Sequence, residues 1–153
     1  MCLKAANDAS GKAAGTPILD VREQACRLCE DFPCVNACPT DALRDIEKRT
    51  DVDMGLAVIN TETCIAMHGM RCEVCYRVCP LIDKAITIDY RLREGDSIHS
   101  IFAPIIDEEA CVGCGLCVER CVVSEPEVPI KIVRDRAQAI EETKRQQSGE
   151  NAD

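Results

Sequence analysis

All but one of the thirteen cysteines in this 153-residue chain fall into three groups of four. The first is Cys26, Cys29, Cys34 and Cys38, followed by Pro39, and the second is Cys64, Cys72, Cys75 and Cys79, followed by Pro80. The third is Cys111, Cys114, Cys117 and Cys121, with Val122 in place of the proline. Its C-x2-C-x2-C-x3-C spacing is one by which thiolates hold 4Fe–4S clusters. Three sulfurs along one short loop reach three irons of a cube, and the N–H groups between them turn toward its sulfides. The fourth cysteine, at the start of a helical turn, faces away toward a neighbouring cube. The first group widens its middle gap and the second its first gap, as bulges that leave the ligands in place. Gly113 and Gly115, lacking a Cβ, are expected to let the loop approach the inorganic core. Pro39 and Pro80 fix the chain direction after the fourth cysteine.

Two other uses of cysteine fit less well. A zinc site would draw on two C-x2-C pairs across a longer loop to close a tetrahedron, whereas here three cysteines crowd into each loop. A disulfide framework favours an even count and particular Cα separations. Cys2, outside the groups, reads as a free thiol.

The elements that must carry these loops are short. There is no Trp and only two each of Phe and Tyr, so packing by large side chains is thin. Residues 1–17, without hydrophobic period, read as a flexible segment, and Ile18–Gln24 leads into the first group. Ala37–Ile46 has a helical tendency, with Thr40 as a cap. Gly55–Asn60 and Ala85–Leu92 read as strands. Arg93–Asp96 makes a turn and Ser97–Ile106 returns, giving a hairpin between the second and third groups. Asn60 stands before Cys64 in the same phase as Asp107 before Cys111, which marks a structural repeat. Ile130–Val133 is a last strand. Arg134–Gln147 reads as a charged, solvated helix with only Ala137, Ala139 and Ile140 to bury, fraying into the final SGENAD.

A formal charge of −9 argues against nucleic acid and for partners with basic docking patches. No apolar run has the length of a membrane span, and the N-terminus lacks the apolar stretch of a secretory signal. His68, in the widened loop, and His99, in a strand, read as ordinary residues, since the cysteines suffice as ligands. Tyr76 is expected to cover a cluster from water. Arg71, Arg77 and Lys84 read as solvated surface, and Met54, Met67 and Met70 as packing. No nucleophile with a base, phosphate loop or carboxylate pair suggests a substrate site, so the chain is read as a carrier and not an enzyme.

The runs CEDFPCVNACPTDAL (Cys29–Leu43) and RCEVCYRVCPLIDKAITI (Arg71–Ile88), with AGTP (Ala14–Pro17) and FAPIIDEEACVGCGLC (Phe102–Cys117), resemble the NapG/MauM ferredoxin-type proteins of periplasmic nitrate reduction and methylamine utilisation. The resemblance spans about Ala14 to Val133. It implies an α+β, ferredoxin-like fold: a flexible segment at 1–17, an iron–sulfur domain at 18–133, and a charged helix with a tail at 134–153. Members of that family have four cysteine groups, four 4Fe–4S clusters and a twin-arginine export signal. The family's first group and signal find no counterpart here, so the first group present corresponds to the family's second. With each fourth cysteine serving a neighbour, Cys26, Cys29, Cys34 and Cys79 are expected to hold one cluster and Cys64, Cys72, Cys75 and Cys38 another. Cys111, Cys114 and Cys117 then await a fourth ligand, for which Cys2 is a candidate, and Cys121 has no cube to serve. Two secure clusters and an incomplete third follow. The implied function is single-electron relay from a membrane-bound quinol dehydrogenase to a periplasmic reductase of the nitrate reductase type, or to a c-type cytochrome. The alternative is a maturation or assembly protein whose clusters are structural. The implied compartment is the periplasm for a full-length member, while this chain, carrying no export signal of its own, is expected to stay cytoplasmic.

Overall fold

Strand-forming runs flank the second and third cysteine groups, and in the computed structural model they build two interleaved halves. The structure describes every residue except 1, 7–10, 12, 41, 94, 97 and 150–153. Among the described residues, four helices and three two-stranded antiparallel sheets make up a small α+β fold. The first half runs from β3 (Leu56–Ile59) through the second cysteine loop and α2 (Val74–Arg77) to β4 (Ile86–Leu92). The second half runs from β5 (Ser100–Ile106) through the third loop and α3 (Leu116–Arg120) to β6 (Ile130–Val133). β4 pairs with β5 from Ile86↔Ile106 to Leu92↔Ser100, and β3 pairs with β6 from Leu56↔Val133 to Ile59↔Ile130. Each half therefore completes both of its sheets with the other, and α2 packs on α3.

The repeat extends to individual hydrogen bonds. After β3, the Cys64 N–H donates to the Asn60 carbonyl at 3.1 Å, and after β5 the Cys111 N–H donates to the Asp107 carbonyl at 3.1 Å. In both turns the Asx side chain accepts a further N–H, from Glu62 to Asn60 and from Glu109 and Ala110 to Asp107. These side chains offer the backbone a local turn that ends the strand and aims the first cysteine of each loop.

Ahead of this domain lie β1 (Lys4–Ala5), β2 (Pro17–Ile18), α1 (Pro33–Asn36) and a 3₁₀ turn at Arg49–Asp51. The segment read as flexible thus contains a strand, with Lys4 opposite Ile18 and Ala5 opposite Pro17. The helical turn expected over Ala37–Ile46 lies earlier. Pro33, with φ preset for a first turn, starts α1, and Thr40 uses its carbonyl to accept the Cys38 thiol at 2.6 Å instead of capping a helix; Asp41 lies outside the described residues. The hairpin turn has the Asp96 N–H on the Arg93 carbonyl at 3.0 Å, and His99 precedes β5 instead of lying within it.

The last helix, α4 (Arg136–Gly149), is docked and not a solvated appendage. It packs on β3 and β6, where Ala139 is fully buried. Arg136 donates to the Glu108 and Cys111 carbonyls, each at 2.7 Å, and pairs with Asp53 at 3.0 Å. Lys131 reaches Glu142 at 2.7 Å. One buried alanine and one arginine do what a wide apolar stripe does elsewhere. The SGENAD tail falls mostly outside the described residues.

Leu56, Ala57, Val58, Ala85, Cys111, Val118, Ile130 and Ala139 form the main core, all small or aliphatic. Backbones therefore approach closely. Gly113 has φ +69°, and a Cβ there would stand 2.5 Å from the Gly55 carbonyl oxygen. Gly115 faces Val21 in the same way. Both glycines are required by close protein neighbours, and both also line the hollow of Cys111, Cys114 and Cys117 described below. Gly113→Ala is expected to destabilise the fold by well over the ~1 kcal/mol of simple backbone strain. Gly15→Ala, where φ is +85° with no atom within 4 Å, sets that baseline in a parallel denaturant titration; equal losses would contradict the crossing.

Candidate iron–sulfur sites

Interleaving carries the fourth cysteine of each group across to the other half. One hollow is lined by Cys79, Cys111, Cys114 and Cys117 together with Cys75. A second is lined by Cys64, Cys72, Cys75 and Cys121, so that Cys75 is shared by the two. Every other lining residue of both is apolar, proline or glycine, among them Leu81, Ile86, Ile59 and Ile130. Soft sulfur donors in apolar walls suit an iron–sulfur cluster and give a hard cation no oxygen side chain. Among the described residues no three His, Cys, Asp or Glu side chains converge as a single metal ion would require.

The walls govern the thiols. Burial, and then the nearby Cys64, Cys72 and Cys121, push Cys75 up to about 12. Burial, and then Cys79, Cys111 and Cys26, push Cys114 up to about 11. Cys117 is driven well above the ordinary thiol range by burial first, then by Cys114, Cys111, Cys75 and Cys79. Cys64, Cys79 and Cys26 are raised as well, with burial the leading cause in each. Such sulfurs carry charge at neutral pH only when a metal compensates it.

This arrangement differs from the ligand sets expected from sequence. Cys79 faces Cys111, Cys114 and Cys117 instead of Cys26, Cys29 and Cys34, and Cys121, expected to serve nothing, closes the hollow of Cys64, Cys72 and Cys75. Cys38 does not join that hollow, because its thiol is turned into its own loop toward Thr40. Tyr76 does not line either hollow; its hydroxyl donates to Asp83 at 2.7 Å. His68 bonds the Glu62 carbonyl at 2.7 Å and His99 pairs with Asp96. Arg77 and Arg71 both reach Glu73, and Arg71 also lies 5.3 Å over the Phe102 ring. Met54 and Met67 are half-buried, but Met70 is 59% exposed and packs little.

A model of a 4Fe-4S dicluster domain matches residues 63–124, which contain both hollow-forming groups. The ferredoxin-type protein NapG of Escherichia coli K12 is 45% identical over 130 residues, 84% of this chain and 56% of its own length. The methylamine utilization ferredoxin-type protein MauM of Methylobacillus flagellatus is 39% identical over 132 residues, 84% of this chain and 54% of its own. This chain is a homologue of the NapG and MauM ferredoxin-type proteins. It spans about half the length of these relatives. The polyferredoxin-like subunit of an aliphatic sulfonate oxidoreductase from Pyrococcus furiosus is 44% identical over 55 residues, 36% of this chain and 26% of its own. No solved structure matches the chain.

Two arginines outside the dicluster match grip its third loop, and neither stood out in the sequence. Arg22 donates through Nη1 to the carbonyls of Val118 at 2.7 Å and Cys121 at 3.1 Å, capping the end of α3. Glu119 answers by accepting the Ala25 N–H at 2.7 Å and pairing with Arg27 at 2.8 Å. At the loop's other end Arg136 holds the Cys111 carbonyl. Their partners lie up to 99 residues away in sequence, so no local pattern signals them. Arg136→Ala should lower stability by about 2 kcal/mol, the scale of lost charge-assisted hydrogen bonds. Arg136→Lys should recover less than half, since one ammonium cannot span two carbonyls and a carboxylate. Denaturation midpoints measure both, and full recovery by lysine would show that charge alone suffices.

Proposed function

We propose that this chain relays single electrons between a membrane-bound quinol dehydrogenase and a periplasmic reductase of the nitrate reductase type, or a c-type cytochrome. Its sites would be Cys64, Cys72, Cys75 and Cys121 on one side, and Cys79, Cys111, Cys114 and Cys117 on the other. The observation that carries the reading is their adjacency. Cys75 borders both hollows, and its charge acts on Cys117 across the gap. A 4Fe–4S cluster, when bound, accepts and returns one electron.

The chain's own residues serve that use in three ways. The apolar walls exclude water, so donation to sulfur and burial tune the potential instead of solvent. The paired halves and the arginine grips hold the cysteines at fixed separations, so little rearrangement accompanies a change of charge. The overall charge of −9 favours steered encounter with basic partner surfaces. The relatives named for ferredoxin-type roles support the reductase-linked setting and the periplasm. Among the described residues no helix is long and apolar enough to cross a membrane, which fits a partner supplying the quinol site.

Electron paramagnetic resonance after stepwise dithionite reduction under argon tests the relay. Partial reduction should give simple spectra, and full reduction should broaden and split them as neighbouring spins interact. Unreducible protein, or a full-reduction spectrum that is only the sum of isolated centres, would contradict it.

A further inference from the structure

We propose that two copies of this chain join along the open edge of β4, the two strands running antiparallel about Tyr90, so that Asp89 of each copy meets Arg91 of the other. The pairing does not depend on the relay reading above.

β4 has a single neighbour in its sheet, β5. Backbone bonds at the two ends of the ladder show which groups that neighbour uses. The Arg93 N–H donates to the His99 carbonyl at 3.1 Å, and the Asp107 N–H donates to the Ala85 carbonyl at 3.1 Å. Bonded and non-bonded positions alternate along an antiparallel ladder. Thr87, Asp89 and Arg91 therefore bond to β5, while Ile88, Tyr90 and Leu92 turn their N–H and C=O groups the other way. Ile86 bears this out, since its carbonyl accepts the Asp83 N–H at 3.1 Å on that other side. Beyond Ile86 the edge is open, and no further strand among the described residues pairs with it. β4 is exposed from Asp89 to Leu92, whereas β5 is buried or half-buried along its whole length.

Sheet edges are commonly blunted by proline or lysine. β5 has Pro104 opposite Ile88, at a position where its missing N–H falls on the outer side. β4 has neither residue type, and its side chains complement themselves. With a two-fold axis at Tyr90, Ile88 stands opposite the second copy's Leu92, Tyr90 opposite its own counterpart, and Asp89 opposite the second copy's Arg91. The outward N–H and C=O groups of Ile88, Tyr90 and Leu92 then exchange hydrogen bonds across the edge. Asp89 and Arg91 fall between those bonded pairs, where opposed side chains approach most closely. Tyr90 and Leu92, 66% and 65% exposed, gain apolar neighbours.

The charges also select the register. Moving the axis by one residue keeps the backbone bonds, but it sets Asp89 against the second copy's Asp89, or Arg91 against the second copy's Arg91. Like charges directly opposite one another are destabilising. Within one copy Asp89 and Arg91 already touch at 3.3 Å, both still half exposed. Two places along one strand separate their backbones by about 7 Å, against about 4.5 Å for opposed residues, so the pair across the edge is the better placed.

Sedimentation equilibrium of the anaerobically purified chain tests the pairing, in about 0.15 M salt, where the −9 of each copy is screened beyond about 8 Å. The wild type should pass from one chain to two as its concentration rises. Asp89→Arg and Arg91→Asp should each weaken the association by about tenfold or more, because both pairs across the edge become like-charged. Mixed in equal amounts, the two variants should associate again, since every pair across that mixed edge is of opposite sign. The double variant Asp89→Arg/Arg91→Asp should recover on its own for the same reason, which a loss through misfolding would not allow. A wild type that stays single at every concentration overturns the proposal. So does either single variant associating as well as the wild type, or failure of both the mixture and the double variant to recover.

Discussion

Pairing β3 with β6 and β4 with β5 is the constraint from which the rest of the site follows. Because each half of the repeat lends a strand to both sheets, the end of α2 must lie against the loop that precedes α3, and the end of α3 against the loop that precedes α2. The last cysteine of each group sits at those helix ends. It can then face only the other half's hollow, whatever its neighbours in sequence. Interleaving thus turns three cysteines plus one distant cysteine into a closed set, and it brings the two sets side by side with Cys75 between them.

A chain of this length with so few aromatics has little apolar area with which to offset its conformational entropy. The core that it does have is made of alanines, valines, Ile130, Cys111 and the fully buried Leu56, with Leu28 in a second, smaller cluster beneath the first group. Much of the apolar surface is spent on walls around sulfur. Ligation and folding are then linked: metal bonds that form only in the folded arrangement add directly to its stability. Arg22, Glu119 and Arg136 contribute what the thin core lacks, by tying helix ends and loop carbonyls to segments far along the chain.

Much of this was legible in the sequence, and the failures have common causes. The alternation in Ala85–Leu92 and the equal phase of Asn60 and Asp107 before Cys64 and Cys111 foretold strands and a repeat, because period and turn chemistry act locally. The cysteine spacing pointed to iron and sulfur for the same reason. Which fourth cysteine meets which trio depends on how halves pair in space, and the hollows group Cys79 and Cys121 otherwise than ordering by proximity in sequence does. The docking of α4 escaped notice because Ala139 and Arg136 leave almost no amphipathic signature. Gly113 was read as making room for a cluster, and the room that its missing Cβ also makes for Gly55, far off in sequence, was not foreseen. Local chemistry was readable; partners distant in sequence were not.

Anomalous diffraction at the iron edge from anaerobically grown crystals tests the crossed arrangement most directly. The expected maps place one iron cluster among Cys79, Cys111, Cys114 and Cys117 and the next among Cys64, Cys72, Cys75 and Cys121. Iron bound by Cys79 together with Cys26, Cys29 and Cys34, or by Cys38 together with Cys64, Cys72 and Cys75, would contradict it.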